Sequence, residues 1–393
     1  MAPPPPLPRL LAGLALGVLL VAVAADDEGR RRLPRCSRVF SFGDSLTDTG
    51  NAAILPATAG GPFTRPPYGM TYFRRPTGRA SDGRLVVDFL AEALGLPEPT
   101  PYLAGKAAAD FRRGANFAVG GATALDPAFL RGRGVTSFVP VSLASNETRW
   151  FHDVLRQLAA AADDEHAQRT IAASSLFYFG EIGFNDYSFA LSAGNGTVDA
   201  AASLVPDIIG VIRSSVADVI AAGARAVVVA GMIPIGCEPE MLALFPPPSG
   251  GGATAAGGYY DPASGCIARF NDLAELHNRE LQRALRELRR AHPGAAVVRY
   301  ADLYGPVSAA VASPRKYGFG RRSSALAACC GGGGEPYNFN ANFTGFCGTA
   351  GSTVCAGGPS ASISWDGIHY TEATNRLVAH AILTSTTVRD PKS

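Results

Sequence analysis

The chain has 393 residues, 47% hydrophobic and 17% charged. That is globular composition, long enough for one large domain or two ordinary ones, and it excludes a disordered chain. A formal net charge of +2 gives no electrostatic ground for a nucleic-acid partner, and the short basic runs Arg30-Arg31-Arg32 and Arg289-Arg290 read as solvated surface.

In chain order, residues 1–8 are proline-rich and uncharged, Arg9 follows, and residues 10–25 are apolar. Ala22-Val23-Ala24 is a small-x-small site just before Asp26. This layout predicts a secretory signal peptide over residues 1–25, cleaved near Ala24 or Ala25, followed by a single domain over 26–393. An uncleaved anchor is the competing reading, but the apolar run is about 16 residues against the roughly 20 that a spanning helix needs. No later stretch is long and apolar enough, so no stable membrane span is expected.

Residues 38–42 read as a short buried strand ending at Gly43-Asp44-Ser45. Further apolar runs at 175–180, 224–230 and 295–300 end near Gly183-Phe184-Asn185-Asp186, near Gly231 with Pro234, and at Asp302. Short continuous apolar runs that stop at turn residues are how parallel strands buried on both faces look. Helical spacing separates them over 207–222 and 266–292, the latter with Ile267, Phe270, Leu273, His277, Leu281, Leu285 and Leu288 on one stripe. His277 on that stripe reads as a structural histidine. A last helix is predicted over 372–383. Strands alternating with helices predict one α/β domain with a parallel sheet covered on both faces and ligands at the carboxyl ends of the strands. Residues 246–258 and 331–334 read as surface loops.

All seven cysteines, Cys36, Cys237, Cys266, Cys329, Cys330, Cys347 and Cys355, lie beyond the predicted cleavage point. Four of them crowd a loop-rich segment that disulfides would staple; paired C-x-x-C units and histidines are missing there, which argues against zinc. Seven is odd, so one thiol at least is left over. Sequons at Asn146, Asn195 and Asn342 fit a secreted glycoprotein.

Four segments carry candidate chemistry. Ser45, directly after a strand and at a glycine turn, can present its hydroxyl at the sheet edge, and a helix following it would point amides at an oxyanion. Asp366 and His369, three residues apart across Gly367, can meet so that the carboxylate fixes the ring's tautomer and the ring takes a proton from a serine. Asp366 as a mere helix cap is the bland alternative. His166, His292, His152 and His380 have poorer claims. Asn185 at a strand end offers a neutral amide to an oxyanion. The segment from Gly114 through Asn116 to Gly120, Gly121 and Thr123 brings paired glycines whose N–H groups a ligand can approach. It lacks the Lys-[ST] ending of a P-loop and the third glycine of a dinucleotide loop, and a G-x-S-x-G elbow is missing at Ser45, where position 47 is threonine.

Together these segments resemble the plant GDSL-type esterases and lipases of the SGNH hydrolase superfamily, over about residues 36 to 388. Pro234-Ile235-Gly236-Cys237, Cys329-Cys330-Gly331 and Tyr337-Asn338-Phe339-Asn340 reinforce the likeness. The resemblance implies a flavodoxin-like three-layer α/β/α fold. It implies Ser45 as nucleophile, His369 and Asp366 as the rest of a triad, and an oxyanion hole from the Ser45 and Gly121 N–H groups and the Asn185 side chain, with Gly120 the neighbouring possibility for Gly121. It implies ester hydrolysis through an acyl-enzyme without metal or organic cofactor. Small-molecule or polysaccharide esters are the expected substrates, in the secretory pathway, the cell wall or the Golgi. Two alternatives stay open: an acyltransferase using the same triad, and a non-catalytic carbohydrate-binding secretory protein.

Overall fold

The computed structural model describes residues 35–159, 164–194, 196–247, 258–293 and 297–384. The expected signal segment 1–25, the sequon at Asn195 and most of the predicted loop 246–258 lie outside the described residues. Among the described residues no helix is long and apolar enough to cross a membrane.

A six-stranded parallel sheet forms the centre, in the order β2-β3-β1-β4-β5-β6. Its strands are β1 (Arg38–Phe42), β2 (Thr100–Pro101), β3 (Gly114–Asn116), β4 (Ser175–Phe179), β5 (Ala226–Ala230) and β6 (Val297–Ala301). β1 is flanked by β3 and β4, in registers that set Phe40 opposite both Ala115 and Phe177. Because side chains alternate along a strand, Phe40, Phe42 and Phe177 pack on Phe151 of the helix Thr148–Leu158, with ring centroids 5.3 to 6.1 Å apart. Tyr178, the next residue, points to the opposite face, beside Val86 of the helix Val86–Ala93 and Val378 of the helix Glu372–Thr384. The sheet is thus buried on both sides, which gives the three-layer α/β/α arrangement and explains why β4 and β5 read as unbroken apolar runs. In one layer, the long helix Ala268–Ala291 packs against Val205–Ala221 and against β6.

The predicted strand at 38–42 matches β1, and the runs at 175–180, 224–230 and 295–300 become β4, β5 and β6 with ends shifted by one or two residues. β2 and β3 were invisible as apolar runs. β2 has two residues and one is proline; β3 begins on Gly114 and ends on the buried Asn116, so it is itself the start of the glycine segment. Gly331 lies in a short strand, β7 (Cys330–Gly331), paired antiparallel with β8 (Thr353–Val354), rather than in a loop.

The chain leaves β1 toward β2 and β3 on one side and returns to β4 on the other. The crevice at the carboxyl end of β1 is therefore the topological switch point, where such sheets bind ligands.

Three disulfides join Cys237 to Cys266, Cys329 to Cys355 and Cys330 to Cys347; Cys36 is free. Burial pushes the Cys36 thiol up to about 11, so it is a poor nucleophile. Peptide mapping under non-reducing conditions should return these three pairs and one alkylatable thiol after unfolding. Replacing Cys330 and Cys347 by Ala should lower the unfolding free energy by about 3 kcal/mol, the loop-closure value for a bridge of this span; a scrambled pairing or an unchanged stability would contradict the arrangement.

Candidate active site

The candidate residues come from the turn after β1, the loop after β3, the helix that follows β4 and a loop just before the last helix. After β1 the chain turns at Gly43, whose φ is +136° and whose place a Cβ would fill 2.9 Å from the Glu181 carbonyl. The residues that follow form a hydrogen-bonded turn, with the Thr47 and Asp48 N–H groups donating to the Asp44 carbonyl, and no helix begins there. The helix-dipole contribution expected at Ser45 is therefore replaced by the bare amides of a turn. Ser45 itself is 9% exposed.

From the other side of the sequence, Ser364 to Tyr370 makes a tight loop closed by the Trp365 N–H donating to the His369 carbonyl at 2.7 Å. Gly367, at φ +100°, permits the reversal, and any Cβ there would strike Phe339 at 2.3 Å. Within this loop Asp366 Oδ1 accepts the backbone N–H groups of Ile368 at 3.0 Å and His369 at 2.9 Å. Asp366 Oδ2 lies 2.7 Å from His369 Nδ1 and also accepts the Tyr68 hydroxyl at 2.7 Å. His369 Nε2 lies 2.9 Å from Ser45 Oγ. Ser45, His369 and Asp366 thus form one continuous hydrogen-bonded line. Asp366 also holds the turn at its own loop; helix Glu372–Thr384 is capped instead by Asp82, whose Oδ1 accepts the Glu372 N–H at 2.8 Å.

The line is buried, and burial disfavours charge on the imidazole. The Asp366 carboxylate outweighs that, helped by Asp44 and Glu240, and His369 is raised above its ordinary value. Asp366 also meets a burial penalty, but His369 and the Tyr68 hydroxyl hold it below the usual carboxylate range. Around the pair stand further buried acids. Burial pushes Asp44 up to about 6 and Glu240 up to about 7. Glu181 is raised well above its ordinary value by burial and then by its neighbour Asp44.

The Gly120 N–H is committed to Asp48 Oδ2 at 2.8 Å. The N–H groups of Ser45 and Gly121 make no hydrogen bond to any described residue, and Gly121 holds φ +84°. Gly121, rather than Gly120, is therefore the glycine with an amide to offer. Asn185 lies in the first turn of helix Phe184–Ser192, which Glu181 Oε1 caps through the Phe184 N–H at 3.0 Å. Both amide hydrogens of Asn185 have partners here, Asp44 Oδ2 at 3.0 Å and the Ala122 carbonyl at 2.9 Å. Its neighbour Asp186 accepts the N–H groups of Ala124 at 2.8 Å and Leu125 at 3.0 Å. Together they moor the loop that carries Gly121.

The other histidines stand apart from this line. His277 is buried, its Nδ1 2.9 Å from the Tyr187 hydroxyl, and burial lowers it to about 3. His152 pairs with Asp218 at 2.6 Å, a partner that sequence did not reveal.

A cavity of about 400 Å³ opens next to Ser45, lined by Ala52, Thr58, Phe63 and Gly120 with neighbouring Ala and Gly residues. No charged side chain lines it, and the Thr58 hydroxyl is turned back onto the Ala52 carbonyl at 2.6 Å. The Phe63 ring stands perpendicular to His369, centroids 5.3 Å apart. A larger recess of about 620 Å³ lies by Arg133 and Leu204 and contains none of the residues of the hydrogen-bonded line.

Asp48, Asn51, Tyr68, Glu147 and Asp186 were not singled out from sequence. Asp186 lies inside the Gly183-Phe184-Asn185-Asp186 motif, and Asp48 and Asn51 follow closely on Gly43-Asp44-Ser45, so their neighbourhood was marked though not their task. Glu147 accepts the Gly43 N–H at 2.8 Å from within the Asn146 sequon, which marks no such task, and Tyr68 comes from a segment with no motif.

Comparison with known proteins agrees with this architecture. The GDSL-like Lipase/Acylhydrolase family model matches residues 39–382. GDSL esterase/lipase At1g28590 of Arabidopsis thaliana is 40% identical over 351 residues, covering 88% of this chain and 81% of that protein. GDSL esterase/lipase At5g45910 of the same plant is 41% identical over 354 residues, covering 88% and 89%. Sinapine esterase of Brassica napus is 39% identical over 382 residues, covering 96% and 92%. The chain belongs to the GDSL-like lipase/acylhydrolase family.

Proposed function

We propose that this chain is a carboxylic ester hydrolase that works through an acyl-enzyme on Ser45. The observation that carries the reading is the line from Ser45 Oγ through the two nitrogens of His369 to Asp366, at 2.9 and 2.7 Å. His369 takes the hydroxyl proton as Ser45 attacks the ester carbonyl, and Asp366 stabilises the imidazolium that forms. The oxyanion is met by the free N–H groups of Ser45 and Gly121 and by the Asn185 amide, which exchanges its bond to the Ala122 carbonyl for the developing charge. The alcohol departs with the proton from His369. Water then attacks the acyl-enzyme with His369 again as base. The uncharged cavity beside Gly120 and Phe63 suits an apolar part of the ester, and the substrate class is an uncharged-headed small ester or a polysaccharide ester.

Export is part of the reading. Three disulfides and the expected signal peptide at 1–25, with a single domain over 26–393 as the proposed mature protein, support a secretory-pathway protein. Asn342 is exposed and suited to glycosylation, whereas Asn146 is half-buried with its Oδ1 accepting the Ser142 N–H at 3.1 Å.

The direct test is hydrolysis of a short-chain aryl ester by purified protein, with labelling by a fluorophosphonate probe. The label should map to Ser45, and Ser45→Ala should abolish both; labelling elsewhere would overturn the assignment. Product analysis with an added acceptor alcohol separates hydrolysis from acyl transfer.

Replacing Asn185 by Ala should leave the fold intact and lower kcat by about 10²–10³-fold, the usual cost of one oxyanion donor. A fully active variant would move the oxyanion hole elsewhere.

The pH profile tests Asp366. His369 must be neutral to act, and it is raised above its ordinary value of about 6.5, so the acid limb of kcat/KM should lie above that pH. Asp366→Asn removes the carboxylate that favours the imidazolium, so the limb should move to lower pH while the rate falls by up to about 10⁴-fold. An unmoved limb with an unchanged rate would leave Asp366 as a turn residue only.

A further inference from the structure

Tyr68 reaches the reactive line from a segment that carries no motif. It is buried, and its hydroxyl donates to Asp366 Oδ2 at 2.7 Å, the same oxygen that faces His369 Nδ1. Two donors on one carboxylate oxygen draw on the same charge, so what the phenol takes is withheld from the imidazolium.

The phenol's position is fixed by packing. Its ring meets Trp365 edge-on at 5.9 Å and Phe63 at 5.3 Å, in a small core shared with Cys329, Cys330 and Cys347. The disulfide-bonded segment in turn pairs with the stretch leading to Asp366: Cys329 N–H donates to the Ser364 carbonyl at 3.1 Å and Cys330 N–H to the Trp365 carbonyl at 2.6 Å. The phenol keeps its proton, because burial first and the Asp366 charge second raise it well above its ordinary value. The other charged groups near the pair are Asp44 and Glu240, which face His369, and Glu238 and Glu240, which face Asp366. All are carboxyl groups, so Tyr68 is the hydroxyl donor set against an otherwise acidic surround.

We propose that Tyr68 is a positioning residue for ester hydrolysis whose hydroxyl tempers the Asp366 carboxylate and so sets the pH at which His369 becomes a base. The proposal rests on the roles given above to Ser45, His369 and Asp366. Tyr68 itself touches no substrate, and its proton is not transferred.

The test is the kcat/KM–pH profile of three proteins: wild type, Tyr68→Phe, and the full chain with 3-fluorotyrosine at position 68. In Tyr68→Phe the carboxylate is less stabilised and holds the imidazolium more tightly, so the acid limb should rise by roughly half a pH unit. The plateau should fall less than about tenfold, in kcat rather than KM, since the Ile368 and His369 amides still hold Asp366. The fluorinated phenol is a stronger donor and should move the limb the other way. Loss of packing alone would lower activity without such opposed shifts. An unmoved or lowered limb in Tyr68→Phe, or a raised one with fluorotyrosine, overturns the proposal. If Tyr68→Phe does not fold, the fluorotyrosine protein, which keeps the ring, decides by itself. A wild type that hydrolyses esters, with an acid limb that Asp366→Asn lowers and Tyr68→Phe leaves in place, would remove Tyr68 alone. A wild type as inactive as Ser45→Ala would instead remove the reading on which the proposal rests.

Discussion

The site depends on one buried carboxylate. Asp48 Oδ1 accepts the N–H groups of Gly50 at 2.7 Å and Asn51 at 2.6 Å, and its Oδ2 accepts those of Ala52 and Gly120, both at 2.8 Å. One side chain thereby ties the loop after β1, which carries Ser45, to the loop after β3, which carries Gly121. A buried ion is costly unless hydrogen bonds surround it, and four backbone donors supply that here. Asn51 completes the tie by donating to the carbonyls of Asn116 and Ala118, each at 2.9 Å. With Gly120 engaged, the adjacent amide of Gly121 is left to face the crevice.

Electrostatics at the sheet edge follow from the same crowding. Glu147, Asp44, Glu181 and Asp186 lie buried around the turn after β1, and burial drives each of them upward. Like charges crowded together disfavour ionisation, and each of these carboxyl groups also accepts a hydrogen bond from a loop or turn near the site. Asp366 alone among the acids around His369 is held below the carboxylate range. That acid is the one given two backbone amides, a phenol and an imidazole.

The disulfide-linked segment serves the site at one remove. It covers Tyr68 and Trp365 and pairs with the residues before Asp366, so order in a long excursion between β6 and the last helix is transmitted to the histidine loop. Helices capped by polar side chains from distant loops, such as Glu372 by Asp82, complete the enclosure.

The sequence by itself determined four of the six central strands, the long helices and the three residues that meet in the hydrogen-bonded line. Those features are local: an apolar run ended by glycine or proline, a helical stripe, and an Asp-x-x-His turn all follow from short-range spacing. Tertiary structure alone decided the rest. β2 and β3 are too short and too rich in Pro, Gly and Asn to be read as strands; β3 exists because β1 offers it a partner, and β2 because β3 does. The choice between Gly120 and Gly121 turns on which amide Asp48 claims, 72 residues away in the chain. Tyr68 stands 298 residues from Asp366, and Glu147 lies 104 from Gly43. Contacts at such separations leave no periodic trace in a sequence, because the burial that makes them necessary is created only when the sheet closes around them.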